Sequence, residues 1–393
     1  MSPVALVLQT GAVTRVPVVD DPFRIGRDPG CDLCLWDLRV SRRHARVVRT
    51  EDGYEMAAEG RHGIYVNGSK VPRVLLRDGD EVQLTPPGEP DPVILRFDNA
   101  LQGVAIRAGT SLTRAWFERE KDRAGPPLVV ARYEVLGPLG GLQGPTAPRV
   151  ARHRTTGQDV VLSVFPPVPV GASADSWLRF VTAVAGTAHP ALAPVVDGGV
   201  DAVEEGAMRW LASTMVRGRS AAQRIAEGPQ APVTAVRRLR ALSGGLHLLH
   251  TRGVVHANVS PSHVLLRTDG SAVLVGYGRA FLRRDGVFPG ASPVLDPAYL
   301  APELRDGAGT RLPTPAADVW GLVAVGHGML TGAPPEVGGP RLRDLGVPLP
   351  AALDELFARA LDPEPAARPS AEDLGQALAF AEASLTTSPG SDT

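Results

Sequence analysis

The sequence predicts a multidomain chain in which an all-β sandwich precedes a larger α+β region. Three observations carry this. The chain has 393 residues, more than one ordinary core accommodates, so two or three domains follow. Apolar residues make up 44%, which places it among globular rather than disordered proteins. Short apolar runs between turn clusters extend to about Asn99, and after Tyr133 longer helical patterns take over.

In the first region residues 5–8, 33–35, 45–48, 64–66, 81–84 and 93–97 read as strands. Asp52-Gly53, Asn67-Gly68 and Asp78-Gly79 punctuate them, and many short strands at close spacing mean a β-sandwich. Residues 101–131 read as a linker with a short helix in the charged stretch 117–123. Residues 132–381 form the second domain, which begins with strands such as 160–165. Leu239, Leu242, Leu246 and Leu249 make one apolar helical stripe, closed by Gly253 at C′. Residues 264–266 and 272–275 flank an Asp269-Gly270 hairpin turn. Later helices start at Thr314-Pro315, with Pro at N1, and at Ser370-Ala371-Glu372-Asp373, which has the form of a capping box. Residues 382–393, rich in Ser, Thr and Gly, read as a disordered tail.

Composition excludes several classes. A net charge of -1 gives no reason to expect nucleic-acid or anionic-membrane binding. Cys31 and Cys34 are the only cysteines; they provide no disulfide framework and lack the second pair a zinc site needs. No apolar run spans a membrane, and the start lacks a signal-peptide pattern, so a cytoplasmic protein without membrane insertion is expected. Heavy use of Arg over Lys, with much Ala, Gly and Pro, suits a high-GC bacterial coding sequence.

Four motifs then occur in order: Ile25-Gly26-Arg27, Val40-Ser41-Arg42-Arg43-His44-Ala45, Val66-Asn67-Gly68 and Leu76-Arg77-Asp78-Gly79-Asp80-Glu81-Val82. Together, over roughly residues 23–84, they resemble a forkhead-associated (FHA) domain, a sandwich whose loops bind phosphothreonine peptides. A phosphothreonine carries nearly two negative charges and three acceptor oxygens, which a forked guanidinium matches. The resemblance implies that Arg27 and Ser41 hold the phosphate and that Arg42 adds a loop contact. It makes His44 and Asn67 structural. One loop departs from the family pattern. Arg61 stands where a Ser or Thr is usual, and His62 where the peptide-anchoring Asn is usual. Either Arg61 supplies an extra phosphate contact or affinity is lower, and peptide selectivity is affected more than phosphate binding.

Residues 133–381 resemble a bacterial Hanks-type serine/threonine kinase, a bilobal α+β fold. The matching stretches are Gly253-Val254-Val255-His256, Val273-Leu274-Val275-Gly276-Tyr277-Gly278, Tyr299-Leu300-Ala301-Pro302-Glu303, Asp318-Val319-Trp320-Gly321 and Arg368-Pro369-Ser370. Position by position the resemblance implies degenerate chemistry. Ser163 replaces the phosphate-binding lysine, and no lysine occurs after Lys121. Phe180 replaces that lysine's glutamate partner, and Asn258 replaces the catalytic aspartate. Ser260 replaces the following lysine, His263 the magnesium-binding asparagine, and Gly276 the magnesium-binding aspartate. Asp296 stands where a threonine normally contacts the catalytic residues. Glu303 and Arg368 match a structural ion pair, and Asp318 a residue that holds the backbone near His256.

The expectation is therefore a non-enzyme: a phosphothreonine-dependent adaptor whose kinase-like domain, a pseudokinase, serves as a binding platform. Its partner is a phosphothreonine protein, such as an active serine/threonine kinase or its substrate, and no nucleic acid. No metal or other cofactor is expected, and ATP binding is disfavoured. The alternative is a divergent serine/threonine protein kinase with residual ATP binding or transfer.

Overall fold

The computed structural model describes residues 4–387, except 11, 19, 29, 36, 38, 67, 90–91, 99–131, 142–146, 169–173, 204–205, 284–295 and 306–311. Asn67 and the short helix expected at 117–123 lie outside the described residues. The chain divides into two compact units. One holds residues 1–188, 194–215 and 284–290; the other holds 189–193, 216–283 and 291–393.

The first unit opens with two sheets. One contains β1 (Val4–Thr10), β2 (Ala12–Val18), β7 (Ile64–Val66), β8 (Ser69–Val71), β10 (Glu81–Gln83) and β11 (Ile94–Asp98), in the order β2-β1-β11-β10-β7-β8. The other contains β3 (Phe23–Gly26), β4 (Leu33–Cys34), β5 (Ala45–Thr50), β6 (Gly53–Ala58) and β9 (Arg73–Leu76), in the order β4-β3-β5-β6-β9. Alternation explains the burial: Leu95 and Phe97 point inward on β11, and Arg96 between them is exposed. Phe23, Ile25, Leu33, Met56 and Ile64 belong to the same core. The strands at 12–18 and 53–58 are not legible as strands from sequence. The first contains Pro17, and the second reads Gly-Tyr-Glu-Met-Ala-Ala, a poor β sequence held by its neighbours β5 and β9.

The same unit continues with β12 (Tyr133–Pro138), β13 (Arg149–His153), β14 (Asp159–Val168), β15 (Val195–Val203) and β16 (Gly206–Thr214), an antiparallel sheet ordered β12-β13-β14-β16-β15. Helix α1 (Ala174–Ala185) packs on it through Trp177, whose indole N–H donates to Gly199 O at 2.8 Å.

The second unit is mainly helical: α2 (Ala221–Ile225), α3 (Pro232–Thr251), α4 (Pro315–Thr331), α5 (Ala351–Ala360) and α6 (Ala371–Thr387). Leu239, Leu242, Leu246 and Leu249 of α3 are all buried, and Gly253 follows the cap with φ of +73°. Small strands β17 (Val264–Leu266) and β18 (Ala272–Leu274) pair as a hairpin. Helix α6 is capped by Ser370, whose hydroxyl accepts from Asp373 N at 3.1 Å. It continues through residues 382–387, which corrects the expected disordered tail over that part. Ala383 favours helix, and Glu382 is held by Arg237 and Arg240, each at 2.8 Å.

Candidate functional sites

At one end of the sandwich, the segment after β3 lies against the loop before β5. Arg27 N donates to Ser41 O at 3.1 Å and Asp28 N to Arg42 O at 3.0 Å. Gly26 makes this approach possible, because a Cβ there would stand 2.1 Å from Arg42 O. A Cβ on Gly60 would likewise stand 2.5 Å from Ser41 Oγ, so the third loop also closes on Ser41. Arg27 and Ser41 are half-buried, whereas Arg42, Arg61 and His62 are exposed.

His44 ties these loops together from below. Its buried ring accepts from Ser41 N at Nδ1, 3.1 Å away, and donates from Nε2 to Gly63 O, 2.9 Å away. Both bonds need the neutral Nε2–H tautomer. Burial pushes the imidazole pKa below its usual range, and nearby His62 adds to the fall. The carbonyl of His44 accepts from Glu59 N and Gly60 N, which joins the loop before β7 to the same residue. A set of guanidinium and hydroxyl groups on backbone-locked loops is chemically suited to an anionic phosphate.

In the five-stranded sheet Ser163 lies on β14, paired with Leu211 of β16. Phe180 on α1 is buried against Trp177, ring centres 5.2 Å apart, and Phe165 packs on Trp177 at 4.8 Å. An aromatic cluster thus occupies this helix at Phe180, the position that the sequence resemblance gives to a kinase's glutamate.

The loop after α3 is organised by Asp318 of α4. This buried carboxylate accepts from His256 N and Ala257 N, both at 2.8 Å, and from His250 Nε2 at 3.0 Å. Ala257 has φ of +60°, a left-handed conformation that a non-glycine residue adopts at a cost. Asp318 offsets that cost by holding the two successive peptide N–H groups that lead into the residue. Asn258 and Ser260, both buried, line a narrow cleft with Asp296 and Tyr299; at about 10 Å3 it has room for one water. Asp296 also accepts from Ser262 N at 3.1 Å, which fixes its carboxylate beside the loop. That bond is tertiary and cannot be read from the sequence.

His263 and Gly276 meet directly. Gly276 has φ of +85°, and a Cβ there would lie 2.2 Å from His263 Cδ2. The ring is held at Nδ1 by Ser260 Oγ at 3.0 Å. Burial, with His256 nearby, lowers the His263 pKa to about 4, so the ring is neutral near pH 7. A kinase fold implies magnesium at these two positions. The residues present do not fit it: glycine offers no side-chain oxygen, and a neutral imidazole fills the adjoining space. Among the described residues, no group of three His, Cys, Asp or Glu side chains is arranged to hold a metal.

Glu303 and Arg368 form a two-pronged ion pair at 2.8 Å for each prong. Arg368 also donates to the carbonyls of Asp362, Pro363 and Ala316 and stacks 4.9 Å over Trp320. Tyr277 donates its hydroxyl to Ala193 O at 3.0 Å.

Comparison with known proteins agrees with this geometry. Residues 23–85 match the FHA domain and residues 183–343 the protein kinase domain. The serine/threonine-protein kinase PkaA of Streptomyces coelicolor is 29% identical over 277 residues, 64% of this chain and 50% of its own. The DNA damage-responsive serine/threonine-protein kinase RqkA of Deinococcus radiodurans is 30% identical, over 54% of this chain and 31% of its own. The serine/threonine-protein kinase PknL of Mycobacterium tuberculosis is 32% identical, over 47% of this chain and 49% of its own. The chain therefore spans between about a third and a half of these relatives' lengths. No helix among the described residues is long and apolar enough to cross a membrane.

These relatives overturn the expectation of a non-enzyme. That expectation weighs the side chains at Ser163, Phe180, Asn258, Ser260, His263 and Gly276 one by one. The similarity runs instead to proteins named as kinases, and the cleft that Asn258 lines still holds a carboxylate, that of Asp296. The chain joins an FHA domain to a protein kinase domain homologous to bacterial serine/threonine kinases.

Proposed function

We propose that this protein is a divergent serine/threonine kinase directed to its partner by phosphothreonine. The FHA domain docks on a phosphothreonine segment and so brings the kinase domain to that partner. The observation that carries the reading is the loop end of the sandwich, where Arg27, Ser41 and Arg42 lie on loops bonded to one another through the backbone. Arg27 and Ser41 hold the phosphate, Arg42 adds a second cation, and the exposed pair Arg61 and His62 sets peptide preference. The kinase half is supported by the names of the relatives.

Within the kinase domain, Asn258 cannot accept a proton from a substrate hydroxyl. Asp296 is the carboxylate that shares its cleft and replaces it in that role. Two experiments test the two halves separately. A phosphothreonine peptide library should yield binders that Arg27→Ala or Ser41→Ala weakens at least tenfold, a loss expected for a charged hydrogen bond. Equal binding of unphosphorylated peptides would sink the docking half. For the kinase half, transfer from labelled ATP to a generic acceptor protein should be measurable and should fall in Asp296→Asn. Absence of transfer at millimolar ATP, with or without divalent metal, would remove it.

A further inference from the structure

We propose that His263 and Gly276 are a matched replacement of the kinase metal site, so that any nucleotide the kinase domain binds is held without magnesium. This rests on the placement of the kinase fold and not on whether transfer occurs. Two positions that carry magnesium ligands in the fold family hold a histidine and a glycine here, and the structure brings them into direct contact. The imidazole of His263 occupies the volume that a side chain at Gly276 would need: an added Cβ would meet Cδ2 at 2.2 Å, Nε2 at 2.9 Å and Cγ at 3.2 Å. A distance below 3 Å means that one partner must move.

The ring is poorly placed to do so. Ser260 Oγ holds Nδ1, His263 N donates to Ser260 O at 3.0 Å, and His263 O accepts from Val275 N at 2.9 Å. That last bond ties the histidine to the residue immediately before Gly276. A carboxylate at position 276 and a histidine at 263 therefore exclude each other. Neither residue alone accounts for the arrangement: a glycine opposite an asparagine would leave a void, and a histidine opposite an aspartate would collide with it.

The donor set leads to the same result from chemistry. Magnesium is held through carboxylate oxygens and retains most of its waters in octahedral geometry. Position 276 offers only backbone, and position 263 a nitrogen ligand, which magnesium disfavours. The Asp296 carboxylate is engaged with Ser262 N, and that of Asp318 with two backbone N–H groups and His250.

The test is a double-mutant cycle on the full chain, read by thermal melting. Gly276→Asp carries two costs, the left-handed φ and the collision with His263. Only the second is relieved by His263→Asn, so the cycle isolates it. Gly276→Asp should lower the melting temperature by about 2–10 °C more in the natural background than beside His263→Asn. Additive effects would overturn the proposal. Should the single variant fail to fold, folding of His263→Asn/Gly276→Asp supports the proposal equally, and failure of both overturns it.

A second arm uses the unaltered protein. Its thermal response to ATP should be the same, whatever its size, in magnesium and in EDTA. A response to ATP that requires magnesium would overturn the inference. Any phosphoryl transfer should likewise persist in EDTA. Transfer that depends on magnesium would defeat this inference while leaving the proposed kinase function standing, so the two fail separately.

Discussion

Single residues hold the strained parts of this protein in place. Ala257 sits at φ of +60° because Asp318 bonds the peptide N–H groups of both His256 and Ala257. Asp318→Ala would leave two buried donors unpaired, at about 1–3 kcal/mol each, and free the strained loop. We expect a loss of about 2–5 kcal/mol in denaturant unfolding, and a change below about 1 kcal/mol would contradict the role given to Asp318. Glu303 presents a similar case. Glu303→Ala leaves the Arg368 guanidinium buried without its partner, and a loss of about 3–5 kcal/mol is expected for a broken buried pair. The identities of Asp318, Glu303 and Arg368 stand out in the sequence because they sit inside recognisable motifs. The strain at Ala257 does not, since alanine gives no hint of a left-handed backbone. The contact between His263 and Gly276 is equally hidden. The two lie 13 residues apart, and they meet only once β17 and β18 have paired.

At the scale of elements, α4 is buried along almost its whole length, and its glycines are the reason it fits. Gly321 lies under Val259 O, Gly326 against Leu239 and Gly328 against Tyr299; Cβ atoms there would meet these neighbours at 2.6, 2.4 and 2.7 Å. A glycine in a helix interior costs about 1 kcal/mol relative to alanine, so its presence here reflects packing. Gly326→Ala should therefore destabilise the kinase domain by about 1–3 kcal/mol, against the intrinsic helix preference. In a Leu239→Ala background the added methyl should fill space and stabilise. If Gly326→Ala stabilises the natural chain, the close packing of α3 on α4 is wrong. The leucine stripe of α3 is readable as a period of three and four residues, and so is its glycine stop. Strands β2 and β6 are not, because sheet neighbours and not local preference hold them extended. The last turns of α6 are also hard to read: their Ser/Thr-rich composition suggests a tail, but Glu382 anchors the helix to two arginines on α3.

For the molecule as a whole, stability should follow the protonation of its buried histidines. His44 and His263 both have pKa values lowered by burial, the latter to about 4. For a base with a depressed folded pKa, the unfolded chain binds more protons on acidification. The stabilisation is complete above about pH 6.5, the unfolded value, and is lost as pH falls through the folded value. His153, His189, His256 and His327 shift in the same direction. We expect the melting temperature to drop steadily between about pH 6.5 and about pH 4, with a shallower slope in His263→Asn. A flat profile over that range would show that these rings are not buried as described. The presence of an FHA sandwich and, after it, a mixed α/β kinase fold is legible from composition and motif order alone. What the kinase domain does is not, because motif spelling reports which side chains are missing and not which groups the fold brings beside those positions.

The sandwich loops carry one further consequence. Everything that shapes them, from Gly26 and Gly60 to the two-ended bond of His44, lies beneath the surface that meets a ligand. Arg61 and His62 stand outside that framework, solvent-facing and replaceable. On the docking function proposed above, peptide preference can therefore be retuned at these two positions while the scaffold is left untouched. A small library varied at 61 and 62 alone should sample new phosphopeptide preferences from variants that all fold.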